Sequence, residues 1–378
     1  MTNNHSSHKR NTAKERLPLF SIILLGLATL SFLLVVIARN SIAFATFFNR
    51  RISAVVRAIL AYITNLFPFS TAELLIILIP VILFILILFA VRIGAKSWKG
   101  VLIYTVSLIS VASIIFTIFV WGYGIGYYVP TLNKQLELDS RPVSAEELKE
   151  TALWLADELE KYDDEFHKFA DGSTSMPYSL GEMSEKLMES YQAISEEYPF
   201  LQSLKSRVKP VLLSIAMSET HFTGFYTFFT GEANINVDFP DYTLPYTAAH
   251  EFAHQRGIAR ENEANFIAFL VCSSSDDLYL QYSGYLNLYE YVASALYSAS
   301  PTMYYEVYAT VPAYAKQEMR AYSAFYAKYK DSEAGKVGSS INNAFLQANG
   351  TVEGTKSYGL VVDLAVAYYR TVVSAEPS

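Results

Sequence analysis

The chain has 378 residues, 29 Lys/Arg against 36 Asp/Glu, and a net charge of −7. That length leaves room for two or three domains, and the acidic balance argues against nucleic acid as a partner. Cys272 is the only cysteine, so no internal disulfide can form, and any metal must be held by His and carboxylate rather than by a set of thiolates.

The charge divides unevenly along the chain. Residues 1–128 carry eleven Lys/Arg and two acids (Glu15, Glu73), while residues 129–378 carry eighteen Lys/Arg and thirty-four acids. Within the first part, three apolar runs at about 17–38, 71–91 and 101–128 reach the ~20 residues that a helix needs to span a bilayer. The first is too long for a signal-peptide core, lacks a clean cleavage site and is followed by two more spans. Their interiors hold almost no ionisable groups, which speaks for a membrane anchor over 1–129 and against an ion pathway.

With the N-terminus inside, the cytoplasmic side holds Lys9, Arg10, Lys14, Arg16, Arg92, Lys96 and Lys99. The other side holds Arg39, Arg50, Arg51 and Arg57. Seven against four predicts a cytoplasmic N-terminus and an extracytoplasmic part from 130 to 378. Residues 40–70 read as an amphipathic re-entry loop on the membrane surface. Trp121, Tyr123, Tyr127 and Tyr128 read as an interfacial aromatic belt.

After a polar linker, Ser144 and Glu147 form a capping box, and Leu148, Ala152, Leu155 and Leu159 follow at helical spacing. Further helices are expected at 181–197 and 209–217. From Phe222 onward, aromatic and β-branched residues punctuated by Gly224 and Gly231 predict one or two short strands. Asn234-Ile235-Asn236-Val237 alternates as a half-buried strand does. A helix begins near Tyr246, and others follow near 261–271, 278–298, 303–330, 338–348 and 357–373, with Gly350, Gly354 and Gly359 marking late breaks. The expected fold is mostly α with a small β-sheet: three N-terminal transmembrane helices, then an α+β domain.

The run His250-Glu251-Phe252-Ala253-His254 carries the chemistry. On a helix the two histidines project from one face a turn apart, able to bind one zinc ion, with Glu251 beside the metal as general base. Zinc lowers the pKa of a bound water towards roughly 7, which is how metallopeptidases generate their nucleophile. A catalytic site needs a third protein ligand. Gly257 suits a helix C-terminus, and Arg260, at the spacing of a third histidine, cannot bind zinc. Glu261 and Asn265 share a helix face, as ligand and hydrogen-bond partner. Glu263 lies about 200° from Glu261; Glu261 is the favoured ligand and Glu263 the alternative.

The run HEFAHQRGIARENEANFIAFL resembles the signature of a bacterial family of three-span membrane proteins, domain of unknown function 3810. KPVLLS, FTGEANINVDFP, LPYTAAHE and the ending QANG…SYGLVVDLAVAYYR extend the resemblance over nearly the whole chain. It implies a zincin-like, gluzincin-like metallopeptidase with His250, His254 and Glu261 as ligands of Zn2+ and Glu251 as base. The gap from His254 to Glu261 is shorter than in many such peptidases, which keeps Glu263 in play. The resemblance also implies an edge strand that pairs with an extended substrate, with Asn234, Ile235, Asn236 and Val237 as candidates. His221, Tyr226 and Tyr358 are candidates for stabilising the oxyanion. The expected partners are a protein or peptide substrate and the lipid bilayer. The alternative expectation is a non-catalytic, zinc-stabilised membrane sensor or scaffold.

Overall fold

The computed structural model describes residues 16–94, 97–162, 166–349 and 360–374. Lys9, Arg10, Lys14 and Lys96 of the charge count, the candidate Tyr358, and Gly350, Gly354 and Gly359 lie outside these residues.

The chain opens with α1 (Leu19–Asn40). Ser41 caps a nearly continuous helical segment made of α2 (Ile42–Phe47), a π turn (Phe48–Ser53) and α3 (Ala54–Thr64). Two further long helices follow, α4 (Thr71–Gly94) and α5 (Trp98–Gly122). α1, α4 and α5 are each long and apolar enough to cross a membrane. α1 and α5 pack through small hydroxyl residues, as helices do in lipid. Ser21 Oγ lies 3.4 Å from Ser107 Oγ, and Trp121 Nε1 donates to Ser31 Oγ at 3.0 Å. The third span ends at Gly122 rather than 128, because Gly124–Tyr128 tightens into a 3₁₀ turn.

Next come α6 (Leu132–Gln135), α7 (Ala145–Leu159) and α8 (Leu180–Glu197). α7 and α8 both start in complete capping boxes, Ser144/Glu147 and Ser179/Glu182. The helix expected at 209–217 is replaced by β1 (Lys209–Pro210) and the short α9 (Ser214–Ser218). Lys209 is buried there, its Nζ donating to the carbonyls of Thr64 and Phe67. β2 (Gly224–Thr227) and β3 (Glu232–Ile235) complete a sheet of order β1-β3-β2, parallel between β1 and β3 and antiparallel between β3 and β2.

The rest is helical: α10 (Thr243–Gln255), α11 (Glu261–Ser273), α12 (Leu278–Ala299), α13 (Pro301–Thr310), α14 (Ala313–Ala327), α15 (Glu333–Ala348) and α16 (Val361–Tyr368). The single helix expected at 303–330 breaks at Val311-Pro312, where proline removes a donor. The main core gathers α7, α8, α10, α11, α12 and α16 around Phe252, Phe266 and Phe269, all buried. Each such side chain contributes about 1.5–3 kcal/mol by leaving water.

Candidate metal centre

α10 is lined by Ala248, Ala249 and Ala253, all fully buried, so the sheet and neighbouring helices approach it closely. Its helical pitch sets His250 and His254 on one face. The helix stops where Gly257 takes a φ of +98°, a left-handed conformation that costs glycine little. Ile258 N donates to Ala253 O at 3.1 Å and Gly257 N to His254 O at 3.0 Å, the paired bonds of a Schellman turn. The turn sends the chain back so that α11 begins with Glu261 facing the two histidines.

Three ligand atoms converge. His250 Nε2 and His254 Nε2 are 3.0 Å apart, and Glu261 Oε2 lies 3.2 Å from the first and 3.5 Å from the second. The ring of His254 is oriented from behind: its Nδ1 is 2.7 Å from Ile258 O and 3.1 Å from the hydroxyl of Tyr123. A carbonyl only accepts, so Nδ1 carries a proton, and Nε2 is the nitrogen turned toward His250 and Glu261. Burial alone would raise Glu261, yet the two imidazoles, His254 foremost, hold its carboxyl well below the usual range. Burial lowers His250. Burial also pulls down His254, but Glu261 outweighs it and lifts that ring to about 9. Two inward-facing nitrogens and a carboxylate, all within 4.8 Å of one another, are a donor set suited to a divalent metal ion.

Glu263 is turned away. It is buried, and its Oε1 accepts from Leu132 N and from Arg260 Nη1, both at 2.9 Å. Asn265 is buried beside the His250 ring and the Tyr291 hydroxyl rather than paired with Glu261, and its Nδ2 has no partner in the structure. No hydrogen bond joins Asn265 to Glu261, and His250 Nδ1 is likewise buried without a partner.

Glu251 projects from the side of the pair. Its Oε2 is buried without a partner, and burial pushes its carboxyl up to about 8. It faces a cleft of about 780 Å³ that also contains His250, His254 and Glu261. β2 forms one wall, and Gly224 allows the approach: a Cβ there would sit 2.7 Å from Glu251 Oε1 and 2.9 Å from Asn234 O.

The candidate substrate strand needs correction. Asn234 and Ile235 lie in β3, the central strand, whose two edges are occupied by β1 and β2. Asn236 N donates to Thr223 O and Val237 N to Ser214 Oγ, so the N–H groups of this stretch are already bonded. The open edge belongs to β2. The bond from Asn236 to Thr223 sets the phase: residues 223, 225 and 227 bond to β3, and the backbone groups of Gly224 and Tyr226 point outward, on the cleft side.

The aromatic belt needs correction as well. Tyr123 and Tyr127 are buried, Tyr123 beneath His254, and Trp121 packs edge-on against Phe48. Of the oxyanion candidates, Tyr226 lines the cleft with a buried, unpartnered hydroxyl. His221 also lines it, but its Nε2 bonds to Tyr329 O at 2.7 Å. Sequence reading missed Tyr123, Glu290 and Tyr291. Glu290 and Tyr291 line the cleft from α12, and nothing local to Tyr123 marks it.

The structure also joins the centre to the N-terminal helices. Arg57, fully buried, donates to Asn49 Oδ1 at 2.9 Å and to Gly122 O at 3.0 Å, and its guanidinium occupies the space a Cβ on Gly257 would need. Asn49 Nδ2 donates to Gly257 O at 3.1 Å, and Arg260 donates to the carbonyls of Tyr127 and Val129. A family model described as "Protein of unknown function (DUF3810)" matches residues 48–366, which takes in this whole assembly. No curated protein and no solved structure matches the chain.

Proposed function

The chain belongs to the DUF3810 family, and we propose that it is a membrane-anchored zinc metallopeptidase that hydrolyses peptide bonds of a protein or peptide outside the cytoplasm. The observation that carries this reading is the convergence of His250, His254 and Glu261 beside the unpartnered carboxylate of Glu251, in a cleft walled by a free strand edge. Three protein donors would leave a bound zinc ion a position for water, as catalytic sites do and closed structural sites do not.

His250, His254 and Glu261 would hold the ion, which when bound supplies Lewis-acid polarisation of a carbonyl and acidification of a water. Glu251 accepts a proton from that water as its oxygen attacks the carbonyl carbon. It then delivers the proton to the departing amine as the C–N bond breaks. Gly224 and Tyr226 pair through their backbones with an extended substrate and hold the scissile bond over Glu251. The Tyr226 hydroxyl, unpartnered beside the cleft, would donate to the oxyanion.

Glu251→Gln tests the reading in the purified full chain. Zinc content should be unchanged while peptide hydrolysis falls by about two to four orders of magnitude. Equal hydrolysis in the variant would remove the site from catalysis and return the non-catalytic sensor or scaffold as the better account.

A further inference from the structure

We infer that the substrate is a membrane-borne polypeptide, taken by the cleft at the stretch immediately outside its own membrane anchor. This rests on the peptidase reading and adds where the scissile bond must lie.

The metal centre is at the very end of a candidate span. α5 finishes at Gly122, and the hydroxyl of the next residue, Tyr123, is 3.1 Å from His254 Nδ1. Phe119, in the last turn of α5, packs edge-on against Phe228 and Phe345 at centroid distances of 5.1 and 6.2 Å, and both of these line the cleft. α5 has 25 residues, or ~37 Å of helix, against ~30 Å of bilayer hydrocarbon. Its end therefore rises only a few ångströms past the apolar core, into the headgroup layer.

α4 fixes the other side at the same level. Glu232 in β3 accepts from the backbone N–H groups of Thr71 and Ala72, Ser70 Oγ bonds to Asn234 Oδ1 at 2.6 Å, and Glu73 accepts from Leu212 N and Leu213 N. The sheet thus stands directly on a helix end, and no flexible tether separates the cleft from the spans.

The surface around these ends is apolar where a water-facing domain would be polar. α3 turns Arg57 inward and Val55, Ile59 and Ile63 outward, and Leu66 just beyond it is 79 % exposed. Leu212 (85 %) and Ile215 (69 %) are bare beside Glu73. On α15, whose Phe345 rests on Phe119, Val337 and Ile341 also face out. Patches of this kind mark lipid or partner contact, and here they continue the apolar surface of the spans.

A soluble protein would have to bring its chain down into the headgroup layer, whereas a tethered polypeptide already has its juxtamembrane segment there. Tethering raises effective concentration to about the millimolar range without any new contact. Recognition through the β2 backbone is tolerant of sequence, so position relative to the bilayer supplies the selection.

The test uses the full-length protein loaded with zinc in phosphatidylcholine–phosphatidylglycerol vesicles. One long unstructured segment of mixed sequence is presented either fused to a single transmembrane helix or free in solution, and cut sites are mapped by mass spectrometry. Glu251-dependent cuts should cluster next to the anchor and exceed those in the free segment by about tenfold or more. A second arm needs no activity: single cysteines at Ile59 and Leu212 carry a fluorophore quenched by brominated lipid, with Lys161 as control. Quenching at the first two and none at the control is expected. Equal cutting of both segments, or absence of quenching at Ile59 and Leu212, overturns this inference alone. Absence of Glu251-dependent cutting in either segment overturns the peptidase reading with it.

Discussion

Two carboxylates two residues apart in α11 have opposite fates. Glu261 Oε2 closes on both imidazoles, whereas Glu263 satisfies the Leu132 amide and balances Arg260. On the metallopeptidase reading, Glu261→Gln should empty the site, measured as zinc per chain by mass spectrometry, while Asn265→Ala lowers affinity by about 10–100-fold. Glu263→Gln should keep the metal and lose stability instead, about 1–3 kcal/mol, because a charge-assisted pair is replaced by a neutral amide beside a partly buried Arg260. Metal loss from Glu263→Gln with retention in Glu261→Gln would reverse the assignment. The His250/His254 spacing and the phase of Glu261 were readable in the sequence because both are properties of single helices. Tyr123 was not, since it meets His254 across 131 residues and, locally, its cluster reads as a membrane-interface belt.

At the scale of elements, what was legible is what is set by near neighbours. The capping box of α7 follows from residues three apart, and the same spacing at Ser179 and Glu182, not read in the sequence, starts α8. The order of the sheet does not. β1 is a two-residue strand with no alternation to detect, and its parallel pairing is what makes β3 central and leaves β2 as the edge. The dependence on β2 is testable at Gly224. In Gly224→Ala the new methyl meets Glu251 Oε1 and Asn234 O, and neither can retreat without moving the strand or the base. Peptide hydrolysis should drop by at least about tenfold, with a stability loss of about 1–3 kcal/mol. Zinc should stay bound, since β2 carries no ligand; unchanged kcat/KM would clear β2 of any part in catalysis.

A clasp between α7 and the π turn after α16 (Tyr369–Val373) is set by charge. Arg370 Nε and Nη2 each reach the Glu147 carboxylate at 2.7 Å. With the Ser144 amide and Arg141, they lower that carboxyl to about 2 from its ordinary 4.5. The folded pKa is below the unfolded one, so the contribution is present above about pH 4.5 and is lost as pH falls towards about 2. Glu147→Gln should therefore be less stable than the parent at neutral pH, by about 1 kcal/mol given the partial exposure of the pair. The gap should narrow as pH is lowered through that window in thermal unfolding. A gap that stays constant down to pH 2 would mean the clasp contributes through packing rather than charge.

Across the whole molecule, the charge step near residue 129 is not a boundary of folding, since buried contacts run straight across it. Arg57 and Asn49 hold the Gly257 turn, Tyr123 backs His254, and the carbonyls of Tyr127 and Val129 receive Arg260. Each of these comes from the segment that the sequence assigns to the anchor. A fragment beginning at residue 130 would leave the Gly257 carbonyl and the Arg260 guanidinium without those partners. It would also bare the β2–β3 turn, where Leu60 and Ala61 pack against Gly231. Such a fragment should fail to fold cooperatively and should not retain zinc. In the full chain in detergent, Arg57→Ala should cost about 3–5 kcal/mol, because it empties a fully buried site and strands the Asn49 and Gly122 oxygens. The two experiments separate the possibilities. If the fragment melts cooperatively and binds zinc as the full chain does, the spans are a tether and nothing more. If it does not, and Arg57→Ala loses both stability and metal, then the N-terminal helices are also the floor of the His250, His254 and Glu261 group, and a chain cut away from them would be one taken apart.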